Sequence, residues 1–132
     1  MPAPLRPLVP LTVRHTEERG RGVFADAPIA EGTVIEECPL IVLPAEEVEP
    51  TMRTNLGNYA FQWGGTRDQS AIALGYGSLY NHSDDPNALY VRRLEDQVIA
   101  FLSIRAIAAG EEITVSYNGG FGDRSPVWFS VR

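Results

Sequence analysis

Three polar side chains in two short stretches of the chain could carry out chemistry together. Asn81 and His82 are adjacent in SLYNHSDDPN, and Tyr117 ends the apolar run EEITVSY. An asparagine and a histidine offer hydrogen-bond donors and acceptors to a polar ligand. A tyrosine hydroxyl can serve a reacting centre without ionising, since its reference pKa is about 10. Taken singly, each residue also has an ordinary structural role: bonding nearby backbone, filling a core, or packing at a strand edge.

Several other chemistries do not fit this sequence. No Gly-x-Ser-x-Gly elbow accompanies the Asn-His-Ser triplet, and adjacent residues rarely form a nucleophile–base pair, so a hydrolase is not predicted. Cys38 is the only cysteine, which excludes an internal disulfide, and with His15 and His82 it fits no common zinc spacing. We expect Cys38 to be a small buried apolar residue. All 11 basic residues are arginine, which excludes Schiff-base chemistry and a phosphate-binding P-loop lysine.

Length, composition and charge indicate one globular domain. The chain has 132 residues, of which 44% are hydrophobic and 21% charged, and no apolar run approaches the roughly 20 residues that span a bilayer. The start, MPAPLRPLVPL, lacks the features of a signal peptide, so we expect a cytoplasmic protein with no membrane partner. The formal net charge of −6 argues against direct nucleic-acid binding. It suits a basic protein partner, although a charge of this size also simply confers solubility.

Short strands must position the three residues. Stretches rich in β-branched and aromatic residues, separated by turn residues, recur along the chain and predict a mostly β protein. They cover residues 9–15, 23–25, 33–43, 58–63, 70–75, 88–94, 98–104 and 113–117. A short helical turn or a loop is expected between Pro44 and Pro50, and a short helical turn directly before Asn81. The strands at 88–94 and 98–104 form a hairpin that could bring Asn81 and Tyr117 together.

Two further patterns refine this arrangement. Gly20 and Gly22 flank Arg21, which fits a hairpin that needs positive φ and also a backbone that lets a ligand approach closely. IAEGTVI at residue 29 recurs as IAAGEEI at residue 107, which predicts two similar β-units packed against each other. Tyr59, Phe61 and Trp63 alternate along one predicted strand, and we expect them to share a face that belongs to the core, with a binding surface as the alternative.

Four segments, in order, resemble the signature segments of the SET-domain lysine methyltransferases. They are ERGRGVFADAPIAEGTVI, NHSDDPN, EEITVSY and SPVWF. The resemblance implies a mainly β, β-clip-like fold of short strands and small sheets, with little helix and a pseudoknot-like C-terminal segment. It implies a single SET domain over residues 1–132. Residues 9–117 would be its core, and residues 118–132 a tail that closes the cofactor and lysine site.

The resemblance also implies an activity. Such enzymes transfer a methyl group from S-adenosyl-L-methionine to the side-chain amine of a lysine in a protein, leaving S-adenosyl-L-homocysteine. Matched motif by motif, Tyr117 would be catalytic, and Tyr90 and Val115 would line the lysine channel. Valine cannot hydrogen-bond the amine, so any restraint on the number of methyl groups would come from Tyr90. The residues matching the cofactor site are Arg21, Gly22, Asn81, His82 and Trp128, with Phe129 as an alternative to Trp128.

The chain departs from many relatives at Asp84, where they carry a cysteine of a zinc-bound segment. We therefore expect no metal, and a tail held by aromatic packing that orders over the bound cofactor. The partner would be a basic, lysine-containing protein, and a homodimer is compatible with the sequence. The alternatives are a non-catalytic SET-like module that binds a peptide or cofactor, and methylation of a different amine.

Overall fold

Small β-sheets dominate the computed structural model, which describes residues 9–117. These residues form nine β-strands, one α-helix and two 3₁₀ turns. The strands are β1 Leu11–Thr16, β2 Gly20–Ala25, β3 Val34–Leu43, β4 Phe61–Trp63, β5 Gln69–Ala73, β6 Asn81–His82, β7 Ala88–Arg93, β8 Val98–Ser103 and β9 Glu112–Val115. The helix α1 spans Ala45–Met52, and the 3₁₀ turns span Asn55–Asn58 and Gly77–Leu79. The mainly β fold of short strands is confirmed.

The strands form two sheets. A four-stranded sheet has the order β1-β2-β9-β6, and a five-stranded sheet has the order β4-β5-β3-β8-β7. Within residues 9–117 the strand pairs run antiparallel, except that β6 runs parallel to β9. Because β6 and β9 are joined through the β7–β8 hairpin, the chain leaves one sheet, builds an edge of the other and returns. The two polar motifs therefore meet in one sheet.

Both sheets contribute to one hydrophobic core. The four-stranded sheet supplies buried side chains from β2 and β9, and the five-stranded sheet supplies them from β3, β5 and β8. Fully buried members include Val23, Ile35, Cys38, Ala71, Phe101, Ile113 and Val115. Burying such side chains is the main favourable contribution to folding. Cys38 is 0% exposed and burial raises the pKa of its thiol, so the prediction of a small buried residue is confirmed.

The repeated segments pair with each other. Ile29 and Ile107 exchange two backbone hydrogen bonds, each 2.8 Å from nitrogen to oxygen. Gly32 and Gly110, at matching positions of the two copies, both have positive φ, 80° and 86°. Only glycine adopts such angles without strain, so each turn sends its chain back sharply. The predicted packing of the two units is confirmed.

Some boundaries differ from the sequence-based prediction. The strand expected over 58–63 begins only at Phe61, because a 3₁₀ turn precedes it and the Tyr59 N–H bonds the Leu56 carbonyl at 3.0 Å. Tyr59 therefore does not share a strand face with Phe61 and Trp63, and that prediction was wrong. The last strand ends at Val115, and Tyr117 follows in a turn. The tail at 118–132, its predicted ordering and the pseudoknot-like segment lie outside the described residues.

Candidate functional site

The site forms where β6 lies beside β9. Asn81 pairs with Thr114 and His82 with Val115 in the parallel register, and the Ser83 N–H extends the pairing to the Val115 carbonyl at 3.0 Å. Asn87 fixes the turn that follows β6. Its amide oxygen accepts the Thr114 N–H at 2.9 Å and its amide nitrogen donates to the Glu112 carbonyl at 2.8 Å. These bonds hold the two motifs in register.

Tyr117 is held at both ends. Its backbone N–H donates to Nδ1 of His82 at 2.9 Å, and its hydroxyl donates to the Tyr80 carbonyl at 2.7 Å. Because Nδ1 of His82 accepts a hydrogen bond, its proton is assigned to Nε2, which donates to Asp84 at 3.0 Å. Asp84 thus orients the imidazole that supports Tyr117. The resemblance described above implies a zinc-ligand cysteine at this position in many relatives, whereas this chain has a carboxylate–histidine hydrogen bond here.

Asn81 is anchored through its amide nitrogen. Nδ2 donates to the Arg21 carbonyl at 2.9 Å and to Oε2 of Glu112 at 2.7 Å. Glu112 is also paired with Arg19, at 3.6 Å. Among the residues that the structure describes, no donor bonds the amide oxygen of Asn81, and Asn81 lines a depression in the surface. An amide oxygen can accept a hydrogen bond from a cationic donor such as a ligand ammonium group.

Gly22 makes room for this arrangement. A Cβ at Gly22 would lie 2.3 Å from Oε2 of Glu112 and 2.9 Å from Nδ2 of Asn81. Any larger residue would therefore displace the Asn81–Glu112 hydrogen bond. Gly20 is required for a different reason, its φ of +72° in the hairpin. The hairpin interpretation of the glycine pair holds for Gly20, while Gly22 is needed for close packing.

Three of the predicted site residues, Arg21, Asn81 and Tyr117, come together here with residues that were not predicted to belong to the site. A depression in the surface is lined by Arg21, Tyr59, Ser78, Leu79, Asn81 and Tyr117. The Tyr59 carbonyl accepts the Ser78 hydroxyl at 3.2 Å, which ties the 3₁₀ turn to the rim of this depression. Only the aromatic identity of Tyr59 hinted at such a role, and alternation with Phe61 pointed instead to the core. His82 and Gly22 are not among the lining residues but contact two of them. His82 accepts the Tyr117 N–H, and Gly22 packs against Asn81.

The two predicted channel residues are not among those that line this depression. Val115 is 1% exposed and belongs to the core cluster. Tyr90 packs edge-on against Phe61, with ring centroids 5.1 Å apart, and against Phe101 at 6.1 Å. The Arg92 guanidinium lies 5.2 Å from the centre of the Tyr90 ring, and burial raises the pKa of the Tyr90 phenol. Phe101 also stacks on Tyr80, so one aromatic ring separates Tyr90 from the residue that holds the Tyr117 hydroxyl.

Other predicted features are limited to what residues 9–117 can show. Trp128 and Phe129 lie outside this range, so their roles stay predictions. Within it, no group of three or more histidine, cysteine, aspartate or glutamate side chains is arranged to hold a metal ion. No helix in this range is long and apolar enough to cross a membrane.

Comparison with known proteins identifies the family. A model of the SET domain matches residues 20–118. A curated protein of Schizosaccharomyces pombe, "Histone-lysine N-methyltransferase, H3 lysine-37 specific", is 36% identical over 121 residues, which cover 91% of this chain and 77% of that protein. The crystal structure of a Plasmodium falciparum protein assigned as a histone methyltransferase is similar at 28% identity, with a TM-score of 0.70, over 87% of this chain and 98% of that one. The chain therefore belongs to the SET-domain family.

Proposed function

We propose that this chain transfers a methyl group from S-adenosyl-L-methionine to the side-chain amine of a lysine in a protein substrate. Membership of the SET family and the likeness to a histone-lysine N-methyltransferase make it a lysine methyltransferase. The proposal goes beyond family membership in two respects: the methyl donor is S-adenosyl-L-methionine, and the substrate lysine belongs to a protein. The observation that supports them is that Asn81 and Tyr117 line the same depression.

The polar side of the depression suits the amino-acid part of the cofactor. The amide oxygen of Asn81 is left as an acceptor because its nitrogen is bound by Arg21 and Glu112. A hydrogen bond to an ammonium group is charge-assisted, and such bonds contribute about 1.5 to 3 kcal/mol. The backbone of Arg21 and Gly22 runs alongside, and His82 closes the site behind Tyr117. These four residues would hold the cofactor, together with Trp128.

The bound cofactor supplies a methyl group on a positively charged sulfur, which an amine can attack directly. The protein must then supply orientation and a neutral lysine. Deprotonating a lysine at pH 7 costs about 4.6 kcal/mol, from a reference pKa near 10.4. Burial lowers that pKa, because it disfavours the charged ammonium form. In this proposal the packed rings of Phe61, Tyr90 and Phe101 would provide such surroundings.

Tyr117 acts at the reacting atoms in this proposal. Its hydroxyl donates its proton to the Tyr80 carbonyl, which sets the direction of the phenol oxygen. A phenol oxygen can also accept an amine N–H or contact a methyl C–H. Contacts between the phenol oxygen and a methyl C–H are individually weak. Their contribution lies in direction, because a phenol fixed at both its backbone and its hydroxyl orients the approaching amine. In-line attack on the methyl group needs such alignment.

We further propose a basic protein as the substrate. The net charge of −6 would attract it. The yeast relative is named for lysine 37 of histone H3, which makes histone H3 the first protein to assay. Location in the cytoplasm and assembly as a homodimer stay predictions.

A labelling assay tests the proposed function. Purified protein is incubated with S-adenosyl-L-methionine carrying a radioactive methyl group and, separately, with histone H3, ribosomal proteins or a lysate. The matched control is each substrate with its lysines chemically acetylated. We expect label in the unmodified protein alone, mapped to lysine by mass spectrometry. Label on a small molecule or on a different amine would show that the substrate is not a lysine of a protein. Binding of a peptide or of the cofactor without any transfer of label would favour a non-catalytic module.

A further inference from the structure

The carboxylate of Glu36 lies inside the core rather than at the surface. Glu36 is 2% exposed, and none of the ion pairs within residues 9–117 includes it. A buried charge without a cation is unfavourable unless hydrogen bonds compensate for the lost water. The groups that bond this carboxylate therefore indicate what it does.

A bulge in β3 directs Glu36 inward. The register between β3 and β8 shifts between Val34 and Glu36, and the neighbours Ile35 and Glu36 are both buried. In a regular strand two adjacent side chains point to opposite faces of the sheet. Bulges re-aim side chains in this way and are over-represented beside active sites. The glutamate is thus placed in the core by a specific irregularity of the backbone.

Two donors from one segment bond the carboxylate. The Tyr80 hydroxyl donates to Oε1 of Glu36 at 2.7 Å, and the Tyr76 N–H donates to Oε2 at 3.0 Å. Gly75, with φ +64°, allows the segment to pass this closely, since a Cβ there would lie 2.4 Å from Oε2. The segment 75–80 is therefore built around Glu36, directly before Asn81.

Tyr80 connects this buried carboxylate to the candidate catalytic residue. Its hydroxyl is bound to Glu36, its ring stacks on Phe101 with centroids 4.3 Å apart, and its carbonyl accepts the Tyr117 hydroxyl at 2.7 Å. Burial, aided by the Glu36 charge, raises the pKa of the Tyr80 phenol well above its usual range. Tyr80 therefore stays a hydrogen-bond donor to Glu36 at any pH at which the protein would be assayed.

We propose that Glu36 is a positioning residue for methyl transfer: through the Tyr80 hydroxyl it fixes the backbone carbonyl that receives the Tyr117 hydroxyl. The inference rests on the proposed function, because that function places Tyr117 at the reacting atoms. Asn81 has its own anchors in Arg21 and Glu112. Loosening Tyr80 should therefore disturb the orientation of Tyr117 more than the binding of the cofactor.

The test uses the full chain and four variants: Glu36→Gln, Tyr80→Phe, the double variant and the control Glu37→Gln. Glu37 is the next residue of β3 and pairs with Arg93, so the control makes the same chemical change outside the core. Three quantities are measured. They are cofactor affinity by calorimetry, single-turnover transfer of the radioactive methyl group from the cofactor to the protein substrate, and the ¹³Cζ resonance of Tyr117 in protein with ¹³C-labelled tyrosine. The Tyr117→Phe variant assigns that resonance.

We expect Glu36→Gln and Tyr80→Phe to shift the Tyr117 resonance and to slow transfer by about tenfold or more, since small misplacements of a reacting group are costly. Cofactor affinity should stay within about threefold of the wild type, as binding and orientation are separate contributions. The double variant should be no slower than the slower single variant, because both changes break one connection. Glu37→Gln should match the wild type in all three quantities.

A lowered melting temperature with an unchanged Tyr117 resonance and an unchanged rate would make Glu36 a purely structural residue and overturn the proposal. If Tyr80→Phe fails to fold because Glu36 is left unpaired, the double variant, which removes charge and hydroxyl together, carries the same comparison. If the wild type transfers no methyl group, the proposed function fails. The Tyr117 resonance then decides alone: a shift supports positioning by Glu36, and no shift refutes it.

Discussion

The candidate site has two parts that are built differently. The polar junction, formed by Arg21, Gly22, Asn81 and Glu112, is held by directional hydrogen bonds between the ends of β2, β6 and β9. The aromatic wall, formed by Phe61, Tyr80, Tyr90 and Phe101, is held by ring packing on the five-stranded sheet. Hydrogen bonds fix direction, whereas packed rings exclude water and adapt to shape. We infer that the junction determines cofactor affinity and the wall determines what happens to the amine.

Asn81→Ala is expected to have the largest effect on binding. It removes the proposed charge-assisted bond, which contributes about 1.5 to 3 kcal/mol, so cofactor affinity should fall by roughly ten- to hundredfold. Calorimetry on the folded variant measures this. Unchanged affinity would remove Asn81 from the cofactor site. It would also contradict the inference that the polar junction determines cofactor affinity.

Gly22→Ala tests the polar junction without removing any polar group. The new Cβ would need the space of the Glu112 carboxylate, which must move away from Asn81. We expect about a tenfold loss of affinity, the size of one displaced hydrogen bond. Gly65→Ala is the control, since nothing lies within 4 Å of a Cβ at that glycine. Equal affinities in the two variants would show that the junction tolerates rearrangement.

Asp84→Ala should have a small effect. Its side chain is 67% exposed, so water can replace it as the acceptor for Nε2 of His82. We expect transfer to slow by no more than about fivefold, in line with exposed ion pairs. Asp84→Asn, which keeps an acceptor oxygen, should match the wild type in the same single-turnover assay. A hundredfold loss in the alanine variant would mean that this exposed contact is as important as the buried one at Tyr80.

Tyr90→Phe should change the product rather than the rate. If the Tyr90 hydroxyl restrains the amine, its removal should raise the methylation state of the product while the first transfer continues at a similar rate. Mass spectrometry of the product of both proteins measures this. Identical product distributions would exclude Tyr90 from the lysine channel and leave it as a packing residue of the aromatic wall.

Motif spacing and turn chemistry allowed the meeting of the two polar motifs to be predicted. Asn81, His82 and Tyr117 meet as expected, because a hairpin returns the chain to a parallel pair of strands. The repeated isoleucine–glycine segments also pair as the sequence indicates. In both cases the informative residues are close in sequence to the turns that place them. The assignments to cofactor, lysine and product stay predictions.

The contacts of Glu36, Tyr59 and Glu112 were less predictable. Glu36 is charged and stands in a regular-looking strand, so its burial depends on a bulge that alternation does not reveal. Tyr59 fitted a strand pattern, but a 3₁₀ turn places it at the depression. Glu112 was part of a recognised motif, yet its contact with Asn81 arises only because Gly22 leaves the space. These contacts join residues far apart in sequence and have no local signal.

The most direct test of the account compares Tyr117→Phe with the matched change Tyr59→Phe, since both tyrosines line the same depression. Single-turnover transfer of the radioactive methyl group is measured at saturating cofactor and substrate. We predict a loss of about a hundredfold or more for Tyr117→Phe, the size expected for one preorganised polar group at a reacting centre, with cofactor affinity unchanged. Tyr59→Phe should lose far less. A Tyr117→Phe variant that keeps half the wild-type rate would contradict the central claim, because Tyr117 would then only pack against its neighbours.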